Sequence, residues 1–293
     1  MKSYNLRSYI FLSPNATCTF QRKELDEIDP EHNRGLNVVP QLLTNRAEHF
    51  LWAVRELHDR GFREVNFNLG CPAGTVAAKR KGAGLLAYPQ ELDRCLEEIF
   101  AGLPRGMTVS VKTRIGKNDP GEWPGLLEIY RRYPLAELIV HPRLQKEFYK
   151  GTPHREAFST VSGPWPVVYN GDIWTAEDAA ALSRDFPGTD AVMLGRGLMR
   201  DPSLLRRLRG GPAASVREVR TYHDRLLDAY RQRLSGDLPV MHRMWELWTY
   251  LAAGFDGAEP YLKRMRKAKN LSEYQAAVDA LLREQPLVYS KEG

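Results

Sequence analysis

The stretch Glu64-Val65-Asn66-Phe67-Asn68-Leu69-Gly70-Cys71-Pro72-Ala73-Gly74 sets the frame for the whole chain. Val65, Phe67 and Leu69 alternate with polar residues, the period-two pattern of a half-buried strand. Gly70 and Pro72 then stop the strand on either side of Cys71. A thiol at that position is held on a rigid scaffold yet faces a loop, where a proton donor or nucleophile is useful. An isolated cysteine also serves as a small apolar filler, and it is the flanking residues that favour the chemical role.

Outward from this strand the same rhythm continues. Apolar runs at Tyr9–Leu12, Leu36–Leu43, Met107–Lys112, Leu138–His141, Pro166–Asn170 and Ala191–Leu194 read as six further strands. Arg46–Arg60, Pro89–Phe100, Trp123–Arg132 and Ala176–Phe186 read as the intervening helices, the first with Asn45 as its cap. Strands alternating with helices predict a parallel α/β architecture. Closed into a ring it is a TIM-type (β/α)8 barrel, which places its active site at the C-terminal ends of the strands.

That rule gathers the polar residues at successive strand ends: Gln41, Asn68 with Cys71, Lys112 with Arg114, His141 with Arg143, Asn170-Gly171-Asp172, and Gly195-Arg196. Gly171 and Gly195-Arg196-Gly197 suit a phosphate held by backbone N–H groups, with Arg196 adding charge. Lys112 and His141 suit an electron-rich ring that gains negative charge on reduction. Taken singly, each has a plain alternative: a snorkelling lysine, a turn histidine, an ordinary Asn-Gly-Asp turn. Six such ends in succession favour a common pocket.

The chain has 43% hydrophobic and 27% charged residues, ordinary globular values, and 293 residues supply ample core. No run approaches the length of a membrane span, and the start lacks a signal-peptide core, so a cytoplasmic protein is expected. Cys18, Cys71 and Cys95 are widely spaced without a CxxC pair, which argues against disulfides and against a metal site.

After Asp201-Pro202 only helices follow: Val216–Leu234, Arg243–Gly254, Ala258–Ala268 and Leu271–Arg283. The division predicted is a barrel over residues 1–209 and a helical domain over 210–293. Of the net charge of +6, the segment from Arg200 onward contributes 17 Lys and Arg against 12 Asp and Glu. A basic domain beside a nearly neutral one suits a polyanion gripped by one part and processed by the other. Lys263, Arg264, Arg266 and Lys267 are the leading candidates for phosphate-backbone contact. Trp245, Trp248, Tyr250 and Phe255 read as helical core rather than a base-stacking platform.

With these residues assembled, the chain resembles the tRNA-dihydrouridine synthases. The likeness rests on Asn68-Leu69-Gly70-Cys71-Pro72 with Gly82-Ala83-Gly84-Leu85-Leu86, Val111-Lys112-Thr113-Arg114, His141-Pro142-Arg143, Asn170-Gly171-Asp172-Ile173 and Leu194-Gly195-Arg196-Gly197. The resemblance implies FMN, reduced by NADPH, and reduction of the C5–C6 bond of a tRNA uridine, with Cys71 swinging over the substrate to protonate C5. It implies that Gln41 and Lys112 bond the flavin ring with His141 beside it, and that Asn170, Gly171, Asp172, Gly195 and Arg196 bind the FMN phosphate. Asn68 would help hold the uracil or the flavin. Arg114 and Arg143 fall to the substrate, and Lys79, Arg80 and Lys81 join the basic helices in gripping a tRNA whose base must be extruded. A monomer is expected.

One feature departs from the family. Its members begin with a strand ending in an Ala-Pro-Met-like motif, and nothing before Tyr9 matches it. Seven strands stand where a barrel has eight, so an upstream start is expected. Two other readings remain: a flavin barrel acting on a dihydropyrimidine-type small molecule, and a non-catalytic tRNA-binding protein without flavin.

Overall fold

The computed structural model describes residues 6–14 and 17–289. Seven strands form one parallel sheet in sequential order: β1 Ser8–Leu12, β2 Val38–Leu42, β3 Glu64–Leu69, β4 Thr108–Gly116, β5 Leu138–Leu144, β6 Val167–Asn170 and β7 Ala191–Met193. Interleaved with them are α1 Arg22–Glu27, α2 Ala47–Asp59, α3 Gly74–Ala77, α4 Pro89–Gly102, α5 Trp123–Arg131, α6 Arg155–Ser159 and α7 Ala176–Asp185. α8 Arg196–Arg200, α9 Leu204–Leu208, α10 Val216–Arg233, α11 Asp237–Leu251, α12 Glu259–Lys267 and α13 Leu271–Glu284 follow. By contact density the chain divides into two compact units, one running to Gly171 and including Gly188–Met193, the other Asp172–Pro187 with Leu194–Gly293. Among the described residues no helix is long and apolar enough to cross a membrane.

The sheet of the first unit is curled. In a flat sheet, β1 and β5 would lie about 19 Å apart, four inter-strand steps of roughly 4.8 Å. Yet the Tyr9 hydroxyl donates to Glu137, the residue before β5, at 2.5 Å, and Arg7 pairs with Glu64 at 2.8 Å and with Glu137 at 3.4 Å. Only a barrel-like curl brings those side chains together, so this is a TIM-type β/α fold with seven strands. β1 and β7 end the sheet, with no pairing between them among the described residues. Burial pushes the Glu64 carboxyl up from its usual range, with the Arg7 charge opposing.

The curl explains a difference from the sequence reading. Alternation along β3 predicts one solvated face, but Asn66 is 0% and Asn68 7% exposed. Val65, Phe67 and Leu69 pack outward under the helices, and the polar side is enclosed within the curl. α2 follows its helical period, burying Phe50, Ala53, Val54 and Leu57 on one face. Burying each of the larger side chains stabilises by ~1.5–3 kcal/mol. Its cap is Arg46 rather than Asn45, whose side-chain amide donates to the Lys79 carbonyl instead.

β4 and β5 also run further than predicted, to Gly116 and Leu144. Pro142 reads as a terminator because it lacks an N–H. It is tolerated where the register between these strands shifts, between Arg114 and Gly116, since irregular pairing removes the need for that donor.

In the second unit, α10, α11 and α13 bury Val219, Leu227, Met244, Trp248, Leu251, Tyr274 and Leu281 in one core. Trp248 and Phe255 are core residues, as expected, at 0% and 5% exposure. The Trp248 indole N–H donates to the Tyr274 hydroxyl, which also bonds His223 Nε2, each at 2.8 Å. α11 begins at Asp237, six residues before the predicted Arg243. Pro239 falls in its first turn, where a missing N–H costs nothing.

Candidate active site

β3 delivers Cys71 to a loop whose backbone is tied at every turn. The Asn68 side-chain oxygen accepts from the N–H of both Gly70 and Cys71 at 3.0 Å, closing a turn over the strand end. Arg114 Nε donates to the Gly70 carbonyl at 3.0 Å, Gln145 Nε2 to the Pro72 carbonyl at 2.7 Å, and the Ala83 N–H to the Cys71 carbonyl at 3.1 Å. Gly82 packs behind the cysteine, where a Cβ would meet Cys71 Cβ at 2.9 Å and where φ is +55°. The glycine-rich partner segment therefore acts as the wall of the Cys71 loop. These bonds restrain the loop backbone, and the half-buried thiol keeps its own χ1 rotation.

Polar side chains on the enclosed face form a connected ladder across β2, β3 and β4. Asn68 donates to Gln41 Oε1 at 2.7 Å, Gln41 donates to Asn66 Oδ1 at 2.8 Å, and Asn66 donates to Ser110 Oγ at 3.0 Å. A buried network of this kind is stiff because each member fixes the next. Asn66 and Ser110 were not predicted. The signal was present, since they stand two residues before Asn68 and Lys112 and so share their face. Lys112 is half-buried, and a Cβ on Gly70 would lie 3.5 Å from its Nζ. Desolvation, reinforced by the Arg114 charge, pushes the Lys112 ammonium down to about 8.

Arg114 and Arg143 hold backbone. Arg114, 1% exposed, adds bonds to the carbonyls of Leu144 at 2.8 Å and Phe148 at 2.6 Å, so one guanidinium joins the Cys71 loop to the loop after β5. Burial lowers it to about 10. Arg143, also 1% exposed, donates to the carbonyls of Lys150 and Gly151 and to His141 Nε2, the last at 3.2 Å. An arginine can only donate, so His141 Nε2 accepts and the ring proton sits on Nδ1. The family resemblance assigns both arginines to the substrate, but neither guanidinium is offered to solvent. Gln145, which the sequence did not single out, is 9% exposed and bonded to Pro72 across 73 positions of chain.

At the end of β6, Asn170 donates to the Met193 carbonyl at 2.9 Å and so ties β6 to β7. Gly171, at φ +153°, lets the backbone pass close to His141, whose Cδ2 would be 3.2 Å from an added Cβ. In the second unit, Asp172 accepts from Arg196 at 2.7 Å, and the Trp174 ring lies under Arg196 at 4.9 Å and Arg200 at 5.9 Å. Gly195 precedes α8. Trp174 was missed, because only the fold brings it under Arg196.

Of the predicted tRNA-gripping cations, Lys79 and Arg80 are exposed and Lys81 half-buried. Arg80 is committed to the Tyr88 ring, 4.2 Å away, and to Glu91 at 2.6 Å. Desolvation and then the charge of Lys79 lower the Lys81 ammonium. Lys263, Arg264, Arg266 and Lys267 all stand exposed on α12, whose Met265 is 3% exposed and anchors the helix.

The sequence model of the dihydrouridine synthase (Dus) family matches residues 7–286. The probable tRNA-dihydrouridine synthase of Staphylococcus aureus is 26% identical over 250 residues, covering 83% of this chain and 74% of that protein. Probable tRNA-dihydrouridine synthase 2 of Bacillus subtilis is 26% identical over 250 residues, with 83% and 75% covered. Among solved structures, the old yellow enzyme from Trypanosoma cruzi overlaps at a TM-score of 0.47 and 12% identity, over 70% of this chain and 78% of that one, too slight a likeness to bear on the reaction. The family match takes in the Cys71 loop, the enclosed polar ladder and the basic helices alike, and the chain belongs to the dihydrouridine synthase family.

Proposed function

We propose that this enzyme reduces the C5–C6 bond of a uridine in tRNA, with FMN as its cofactor, NADPH as reductant and Cys71 as proton donor. The observation that carries the reading is the fixed Cys71 loop set beside Lys112. A thiol and a cation whose charge is readily adjusted are held at one rim of an enclosed polar face.

The residues fit a planar, electron-rich ring. Lys112, near 8, is an ammonium that a neighbouring negative charge would hold protonated. Gln41 keeps one amide N–H and an oxygen lone pair beyond its bonds to Asn66 and Asn68. His141 carries its proton on Nδ1, and Gly171 clears space at its edge. Within the second unit, the Arg196 guanidinium, steadied by Asp172 and Trp174, and the backbone at Gly195 suit a phosphate group such as that of FMN. When bound, FMN supplies the hydride that reduces C6.

The chain's own residues do the rest. The Cys71 thiol donates its proton to C5, acting as the general acid of the reduction. Asn68 holds the donor by fixing the N–H groups of Gly70 and Cys71. The target base must leave its stack, which costs a few kcal/mol. Backbone contacts from Lys79, Lys81 and the α12 cations would offset that cost.

The test is a visible spectrum of the purified chain, followed by turnover on an unmodified tRNA transcript. Flavin bands that bleach with NADPH, and dihydrouridine in the digested tRNA, are expected. A colourless protein that binds tRNA without modifying it would overturn the enzymatic reading in favour of a binder.

A further inference from the structure

The loop from Gln145 to Gly151 carries a combination that the fold does not require. Phe148 is 43% and Tyr149 51% exposed. Lys146 and Lys150 stand exposed on either side of them. Phe148 has φ +54° and ψ −99°, a region where glycine is at ease and a large side chain is strained. An apolar ring in water on a strained backbone is disfavoured twice over. The loop's one acid, Glu147, is turned inward: it accepts from the Leu144 N–H at 2.7 Å and pairs with His154 at 2.8 Å. What faces outward is therefore aromatic and cationic.

The same loop is fastened to the Cys71 loop. Arg114 bonds the Gly70 and Phe148 carbonyls at once, and Gln145 bonds the Pro72 carbonyl. The Tyr149 ring lies 5.4 Å from the Arg114 guanidinium and 6.1 Å from the His141 ring, which stiffens it. Aromatic faces interleaved with cations, held rigid beside a reactive group, are the features that recognise unstacked nucleotides. Every base offers a π-face, and each phosphate meets a lysine.

We propose that this loop binds unpaired nucleotides of the RNA next to the target uridine, with Phe148 and Tyr149 stacking on bases and Lys146 and Lys150 meeting phosphates. This deepens the tRNA reading and rests on it. It gives the strained Phe148 a purpose: the backbone holds the ring out where a base extruded toward Cys71 leaves its neighbours unstacked.

Phe148→Gly separates function from fold, because glycine relieves the backbone while removing the ring. The variant is expected to melt no lower than the parent, yet to bind an unmodified tRNA transcript about tenfold more weakly. Phe148→Tyr should stay within about twofold, since stacking tolerates any aromatic face. Equal affinity for parent and Phe148→Gly, with the parent still reducing tRNA, would overturn the loop assignment and leave the substrate reading standing. A parent that neither binds nor reduces tRNA would overturn both.

Discussion

Around Cys71, backbone groups of three successive residues are bonded by Asn68, Arg114, Gln145 and Ala83, and the two side-chain donors among them, Arg114 and Gln145, are almost without solvent exposure. Along α12, Lys263, Arg264, Arg266 and Lys267 all stand in water, and Lys263 reaches Glu259 only at 3.6 Å. One region spends buried hydrogen bonds to hold a single thiol still. The other holds charge in reserve on long, mobile side chains. Proton transfer to one carbon needs fixed geometry, which only desolvated bonds supply, whereas a phosphate backbone is gripped by releasing counterions and tolerates many arrangements.

The contrast breaks first at Arg114. In Arg114→Met the carbonyls of Gly70, Leu144 and Phe148 lose a buried donor, so unfolding free energy in a urea titration should fall on the order of 3–5 kcal/mol. A loss below about 1 kcal/mol would mean that water replaces the clamp and the loop is not rigid. Lys112 comes next. Its folded pKa of about 8 lies below its ordinary 10.5, so the unfolded chain binds more protons between those values and stability rises with pH across that window. Lys112→Met should remove that rise and gain on the order of 1–2 kcal/mol at pH 7, while flavin retention falls. Parallel pH–stability curves for the two proteins would refute the assignment.

A smaller effect is expected at Gln145, where Ala leaves one carbonyl unpaired at about 1 kcal/mol. Dihydrouridine formation should slow by about tenfold with flavin still bound, because the Pro72 side of the loop loosens. The smallest changes belong to α12. Each of Lys263, Arg264, Arg266 and Lys267 replaced by Ala should lower the slope of log affinity against log salt by about 1, with stability within about 0.5 kcal/mol of the parent. An unchanged slope for all four would remove α12 from the RNA interface.

The strand order and the place of Cys71 were legible because they depend on local pattern. β3 spans Glu64–Leu69 as the alternation predicts, and Gln41 and Asn68 do meet on one enclosed face, joined there by Asn66 and Ser110. What escaped was non-local. Period two is the same whether the polar side meets water or a curled interior, so spacing puts Asn66 and Ser110 on the face of Asn68 and Lys112 without telling that this face is buried. Arg114 and Arg143 bond mainly backbone carbonyls, which every residue carries and no sequence motif marks. The same reason hid Gln145, whose partner is the Pro72 carbonyl.

The proposed reaction has Cys71 delivering the proton from a fixed position while other residues hold the tRNA. The most direct measurement compares the parent with Cys71→Ala for dihydrouridine formed in an unmodified tRNA transcript, alongside tRNA affinity and flavin content. If Cys71 is the donor, the rate should fall by roughly 10²–10⁴, with affinity and flavin unchanged. Undiminished dihydrouridine in Cys71→Ala would contradict it.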